Sequence, residues 1–231
     1  MLNSGAPWRD LPRHYGSVGT VSSRFYRWRR SGVWHRVLEA LQALADAEER
    51  VCWELHFLDS TVVRAHQHAA GARKAGREPG AADEALGRSR GGFTTKIHLR
   101  CEGYGKPVIF TVTGGQVHDT RQVSALISRG AIRRIGQGRP RLRPTKLVGD
   151  KAYSSRSIRL ALRKRGIIPV IPTKANERRQ PGFDREAYRQ RNIVERLINR
   201  LKNFRRIATR YEKRAVNYLA MITLGAILLW I

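Results

Sequence analysis

Residues 93–114, FTTKIHLRCEGYGKPVIFTVTG, hold two alternating apolar–polar runs around a short turn. A period of two predicts strands over 93–100 and 107–114, and the turn from Gly103 to Lys106 makes them an antiparallel hairpin. A short strand, ELHFL (54–58), precedes the hairpin. After it the pattern changes type repeatedly: a helix over 120–127, a strand TKLVG (145–149), a helix over 154–164, a strand GIIPVIP (166–172) and a long helix from about Arg185 to Arg206. That order predicts a mixed α/β sheet with helices packed on it. No internal repeat interrupts it.

Ahead of the sheet, residues 18–28 and 34–44 show apolar residues at helical spacing, split by Ser31-Gly32. With Arg24, Arg27, Arg29 and Arg30 nearby, this reads as a helix-turn-helix-like DNA-binding piece or as a helical hairpin packed on the sheet domain. Trp8, Trp28 and Trp34 are expected as its core anchors. The expected division is a small helical segment, 1–50, and an α/β domain, 51–231. Two basic stretches without periodicity, 64–92 and 129–146, are expected to be loops.

Charge narrows the partner. Lys and Arg number 45 against 18 Asp and Glu, for a net +27 in 231 residues. Such an excess, spread through the chain, implies a polyanion, most simply DNA or RNA. Cys52 and Cys101 form no CxxC pair, which argues against a disulfide framework and fits a reducing cytosol. No basic-then-apolar leader opens the sequence. Residues 215–231 carry no charge but fall short of a bilayer span, and Asn217, Tyr218 and Thr223 interrupt them, so they are expected as a buried core helix rather than a membrane segment.

In the last third, steps of three, four and seven place Tyr188, Arg191, Glu195 and Lys202 on one face of a single predicted helix that continues into Arg205 and Arg206. One carboxylate among cations suits a nuclease, which needs an oxygen ligand for a metal beside groups that hold a phosphate backbone. A solvated surface helix is the plainer alternative. Asp59 and Asp150 each follow a short apolar strand, where capping or turn roles compete with convergence at a site. Together the three acids are a suitable oxygen set for hard divalent cations.

Here the chain resembles a DDE transposase of the insertion-sequence 5 type, with an RNase H-like core. The family's late-helix motif, Y-(2)-R-(3)-E-(6)-K, is matched by Tyr188, Arg191, Glu195 and Lys202. LDSTVVRAH around Asp59 and LVGDKAYSS around Asp150 resemble its two acidic motifs, and GAPWRDLPRHYG resembles its N-terminal region. The resemblance implies that Asp59, Asp150 and Glu195 are the catalytic acids. They would hold two Mg2+ ions, with Mn2+ as a substitute. It further implies cleavage at the element's inverted-repeat ends and transfer of the freed 3′-hydroxyl into target DNA. Tyr188, Arg191, Lys202, Arg205 and Arg206 would be DNA contacts. A homodimer or larger assembly in the synaptic complex and a bacterial cytoplasmic, nucleoid-associated location also follow from it. Family members usually carry several dozen residues ahead of GAPWRDLP. The alternative expectation is therefore a shortened remnant that binds DNA without cutting it.

Two weaker candidates complete the reading. His118 and Asp119 follow the second hairpin strand and are either accessory to the site or a helix cap. His66, His68 and Cys52 lack a zinc-ligand spacing.

Overall fold

The computed structural model describes residues 1–71, 84–89, 92–177 and 181–231. Helices α1 (Val18–Arg30) and α2 (Val33–Ala47) come first, divided at Gly32, whose φ of +70° a side chain would resist. The sheet domain follows with β1 (Leu55–Ala65), α3 (Gln67–Ala70), β2 (Gly87–Ser89), β3 (Gly92–Glu102), β4 (Pro107–Gly114), α4 (Thr120–Ser128) and β5 (Lys146–Val148). It is completed by α5 (Arg156–Lys164), β6 (Ile168–Val170), α6 (Arg185–Arg189), α7 (Asn192–Asn203), α8 (Arg205–Ala208), β7 (Thr209–Arg210) and α9 (Ala215–Trp230).

The strand order is β2-β3-β1-β5-β6, with β4 also paired to β3 and β7 paired to the far end of β1. Strand β1 is central: antiparallel to β3, parallel to β5 and β7. Its two faces seat different helices. Phe57, Ile97, Leu99 and Cys101 pack with Val194, Leu197, Ile198 and Leu201 of α7 and with Tyr218 and Ile222 of α9. Leu58 and Leu147, on the other face, pack with Val123, Leu126 and Ile127 of α4 and Ile158 and Leu162 of α5. Burying each such side chain stabilises the fold by roughly 1.5–3 kcal/mol.

The N-terminal helices rest on α9. Leu38, Val51 and Trp53 join Ala226, Ile227 and Trp230, while Phe25 meets Ala220 and Met221 beside Trp8 and Trp34. Trp8, 5.4 Å from Phe25, and Trp34 pack here as expected, while Trp28 touches this packing only edge-on to Trp34 at 5.0 Å. The uncharged C-terminal run is a largely buried helix, and no helix among the described residues is long and apolar enough to cross a membrane.

Three expectations need correction. Strand β1 does not stop before Asp59 but continues to Ala65, because β3 pairs it from His56↔Glu102 through Arg64↔Thr94. The expected loop 64–92 accordingly begins inside β1 and includes α3 and β2; residues 72–83 and 90–91 lie outside the described residues. The long helix is three helices. Between α6 and α7 the bonds Gln190 N–H to Ala187 O, Arg191 N–H to Tyr188 O and Ile193 N–H to Gln190 O tighten the path to a three-residue repeat. At Phe204 the backbone leaves helical space (φ −76°, ψ 100°), with its ring against Gly225 of α9.

Candidate active site

Asp59 sits mid-strand on the face of β1 that meets α7. Its Oδ1 accepts the Ser60 N–H at 2.8 Å, and its Oδ2 lies 3.6 Å from Arg191 Nη1. The parallel register of β1 with β5 runs His56↔Leu147 and Phe57↔Val148. Two residues further on each chain bring Asp59 beside Asp150. Asp150 leaves the end of β5 and caps a single 3-10 turn, Lys151–Tyr153, by accepting the Ala152 N–H at 2.8 Å. Glu195, in the first turn of α7, is ion-paired with Arg191, and its side chain is 49% exposed.

Arg191 thus bridges Asp59 and Glu195. Burial pushes the Asp59 carboxyl up to about 6; the Ser60 amide and Arg191 oppose that rise, while the charges of Asp150 and Glu195 add to it. Three carboxylates from three separate elements therefore share one field. Among the described residues no three carboxylate, imidazole or thiol groups are close enough, as they stand, to hold one metal ion. The donor set nevertheless fits a hard divalent cation: all are carboxylate oxygens, with an excess of negative charge that Arg191 only partly offsets.

The expected DNA contacts divide. Lys202 Nζ lies 3.5 Å from the Val62 carbonyl, three residues along β1 from Asp59, so it flanks the acids. Arg205 is exposed. Tyr188 is half-buried against Phe183 at 5.4 Å and belongs to the core edge. Arg206 is a correction. Its guanidinium is buried, donating to Glu212 Oε1 at 2.6 Å and Ala6 O at 2.7 Å, and lies over Trp8. Its Nε and Nη1 are committed to the fold rather than to a phosphate.

The family described as "Transposase DDE domain" matches residues 54–231. The chain belongs to that family. Residues 1–38 also match the family described as "Putative transposase of IS4/5 family". The strand order β4-β3-β1-β5-β6, in which only β3 runs against the others, is the RNase H-like arrangement. Among curated proteins, an uncharacterized protein of Sinorhizobium fredii, y4sN, is 49% identical over 81 residues, covering 34% of this chain and 60% of that protein. A putative transposase for insertion element IS402 of Burkholderia cepacia is 36% identical over 135 residues, covering 58% of this chain and 62% of that protein. A putative transposase for IS6501 of Brucella ovis is 28% identical over 143 residues, 60% of this chain and 99% of that protein. The chain thus spans about 60% of the length of the first two. Among solved structures, the Mos1 mariner paired end complex with Mn is 13% identical at a TM-score of 0.31, covering 72% of this chain and 61% of that one. The Mos1 strand transfer complex is 14% identical at 0.32, covering 87% and 75%.

Behind the three acids, on the opposite face of β1, lies a second polar centre, of which the sequence singles out only Asp119. His118 is exposed and bonds Thr120 at the start of α4, which is a cap. Asp119 instead turns inward: its Oδ1 accepts from Lys96 Nζ and from Ser60 Oγ, each at 2.9 Å. His98 Nδ1 is 3.6 Å away, and His98 Nε2 is bonded to Thr113 Oγ1 at 2.8 Å. Burial lowers the His98 pKa to about 4, so its ring is neutral at pH 7 and its approach to Asp119 is not an ion pair. The Tyr153 hydroxyl lies in the fields of Asp119, Asp59 and Asp150, and burial first, then those charges, raises it well above the usual phenol range. Lys96, His98 and Arg100 alternate along β3, a pattern that reads as a solvent-facing edge. The signal that could have found them is the length of β3 itself, which requires a covered face.

Proposed function

We propose that this chain cuts and joins DNA as a DDE transposase, with Asp59, Asp150 and Glu195 holding two divalent cations, Mg2+ or Mn2+. What supports the reading is one observation: acids from β1, from the end of β5 and from α7 share a field in which Asp59 is raised to about 6 and Arg191 is the ion-pairing cation. When bound, the cations would supply the positive charge that activates an attacking oxygen and stabilises a leaving one.

The chain's own residues carry the rest. Asp59, held in the strand by its pairing opposite Leu99 of β3, supplies a rigid carboxylate. Glu195, exposed on a helix, can turn from Arg191 towards Asp59 and Asp150. Arg191 then becomes free to meet a backbone phosphate, bidentately as guanidinium favours. Lys202, beside Val62 of β1, and the exposed Arg205 would hold the strand beside the cut. In the first reaction a water oxygen bonds to phosphorus, and the 3′ oxygen leaves with a proton as hydroxyl. In the second, that hydroxyl oxygen bonds to a phosphorus of target DNA and displaces another 3′ oxygen. Duplex DNA with inverted-repeat ends is the proposed substrate, and two ends held at once imply at least a dimer.

The test is nicking of a labelled duplex carrying the flanking repeat, with and without Mg2+, for wild type, Asp59→Asn, Asp150→Asn and Glu195→Gln. The expected result is metal-dependent nicking by wild type and a loss on the order of a thousandfold or more in each variant, with DNA binding retained. Nicking by the variants at wild-type rate would overturn the assignment. Binding without nicking by wild type would leave only the DNA-binding remnant.

A further inference from the structure

Between α4 and β5 the chain reads RRIGQGRPRLR, residues 133–143, with arginine at 133, 134, 139, 141 and 143 and no acid. This is an ordered lobe. Ile132 and Arg141 exchange backbone hydrogen bonds at 2.8 and 2.9 Å, closing its base. Ile132 is buried with Leu38, Val51 and Trp53. Arg141 pairs with Asp46 at 3.1 Å and lies over the Trp53 ring at 4.7 Å, so it anchors the lobe. Gly136 and Gly138, at φ +93° and +124°, allow the tip to turn back on itself.

The other arginines have a different environment. Arg134, Arg139, Arg143 and Arg165 line an open groove of about 530 Å³ together with Arg141 and Pro140. None of those four forms an ion pair with a carboxylate among the described residues. The fold therefore gathers like charges in one groove and leaves them without a counter-charge. Such a groove repels itself until a polyanion enters, and guanidinium matches phosphate oxygens in pairs.

Its position separates it from the acids. Thr145 N–H and Lys146 N–H donate to Trp53 O and Glu54 O, tying the lobe's exit to the chain just before β1. Asp59 lies six residues beyond Trp53, roughly 20 Å at about 3.3 Å per residue. That span is about six base pairs at about 3.4 Å each. We propose that the lobe is a second DNA-backbone site, which holds duplex about six or more base pairs from the position being cut. An anionic membrane fits less well, since Ile135 is the one large apolar side chain exposed at the tip and a surface-bound segment needs an apolar face. The inference rests on the reading that the chain acts on DNA, but not on its cutting it.

The test is equilibrium binding of a 30-base-pair duplex against salt concentration. It compares the full chain, a variant with Arg134→Ala, Arg139→Ala and Arg143→Ala, and a variant with Lys202→Ala and Arg205→Ala. Arg139→Gln serves as a milder check that the fold is kept. The expected result is a log–log salt slope shallower by roughly two to three in the lobe variant and by roughly one in Arg139→Gln, at about 0.9 per lost phosphate contact. An unchanged slope in both lobe variants, with all the loss in the Lys202/Arg205 variant, overturns the proposal. So does a lobe variant that loses single-stranded RNA or anionic vesicles while keeping duplex. A shallower slope in a chain that never nicks DNA leaves the lobe assigned and removes the proposed chemistry instead.

Discussion

Strand β1 carries an acid centre on each face, and the two are built in opposite ways. On the α7 face, Asp59, Asp150 and Glu195 share a field in which Arg191, itself partly exposed, is the ion-pairing cation among the described residues. On the α4 face, Asp119 has its Oδ1 answered by Lys96 and Ser60 at 2.9 Å each. The difference separates two uses of a buried acid. One whose charge is answered inside the fold stabilises that fold. One left in excess destabilises it, and is suited to a charge arriving from outside.

The contrast is sharpest in stability. Asp119→Ala leaves the half-buried Lys96 ammonium with no counter-charge and only the Val117 carbonyl, at 2.8 Å, to accept from it, and should cost about 3 kcal/mol in urea unfolding. Lys96→Met combined with Asp119→Leu should recover most of that loss. Asp59→Asn, by contrast, should cost nothing or stabilise at pH 7. Equal destabilisation by Asp119→Ala and Asp59→Asn would erase the distinction.

A smaller effect is expected with pH. His98 has its folded pKa lowered to about 4, so the unfolded chain takes up the proton first as pH falls. Its contribution is complete above the unfolded value near 6.5 and is lost as pH falls towards 4, on the order of 2 kcal/mol. His98→Gln, which can keep the Thr113 bond, should flatten the melting temperature across that window. A variant as acid-sensitive as wild type would place the loss elsewhere.

The open face should respond to metal. Arg191→Met removes its ion-pairing cation and should lower metal-free stability by about 1 kcal/mol. Adding Mg2+ should then raise the variant's melting temperature more than wild type's. Identical Mg2+ responses would mean that Arg191 and the ion do not compete for the same carboxylates. The smallest effect belongs to Lys202→Ala, which should weaken duplex binding only a few-fold, evenly across sequences.

Much of this arrangement was legible in the sequence where local chemistry decides it. The 107–114 strand was read with the bounds it has, and its partner within two residues at either end, because alternation and a tight turn are local signals. Beyond Asp59 the reading stopped short: Asp-Ser-Thr looks like a turn, and only the long pairing with β3 holds it extended. The late helix was read as continuous since every residue in it suits a helix. Its break at Phe204 depends on a contact with Gly225, which no local pattern contains. Arg206 was misplaced for the same reason, as its partners Glu212, Ala6 and Trp8 are mostly remote. Glu195 is named by a spaced motif and Asp59 and Asp150 by their places after short strands and by the segments around them, whereas Lys96 and His98 belong to no motif and are polar residues made interior by α4.

The first residues of the chain are bonded to nearly its last helix: Asn3 O and Leu2 O accept the Arg205 and Arg206 amides, and Ala6 O accepts from the Arg206 side chain. These residues leave the ribosome about two hundred positions before their partners. At about 5–20 residues per second they wait roughly 10–40 s. Strand β1 likewise waits for β5, and Asp59 for Glu195. A chain interrupted between Asp59 and Glu195 would therefore carry the first acid without a finished site, so the competence proposed for this protein would arrive only once α7 has been made.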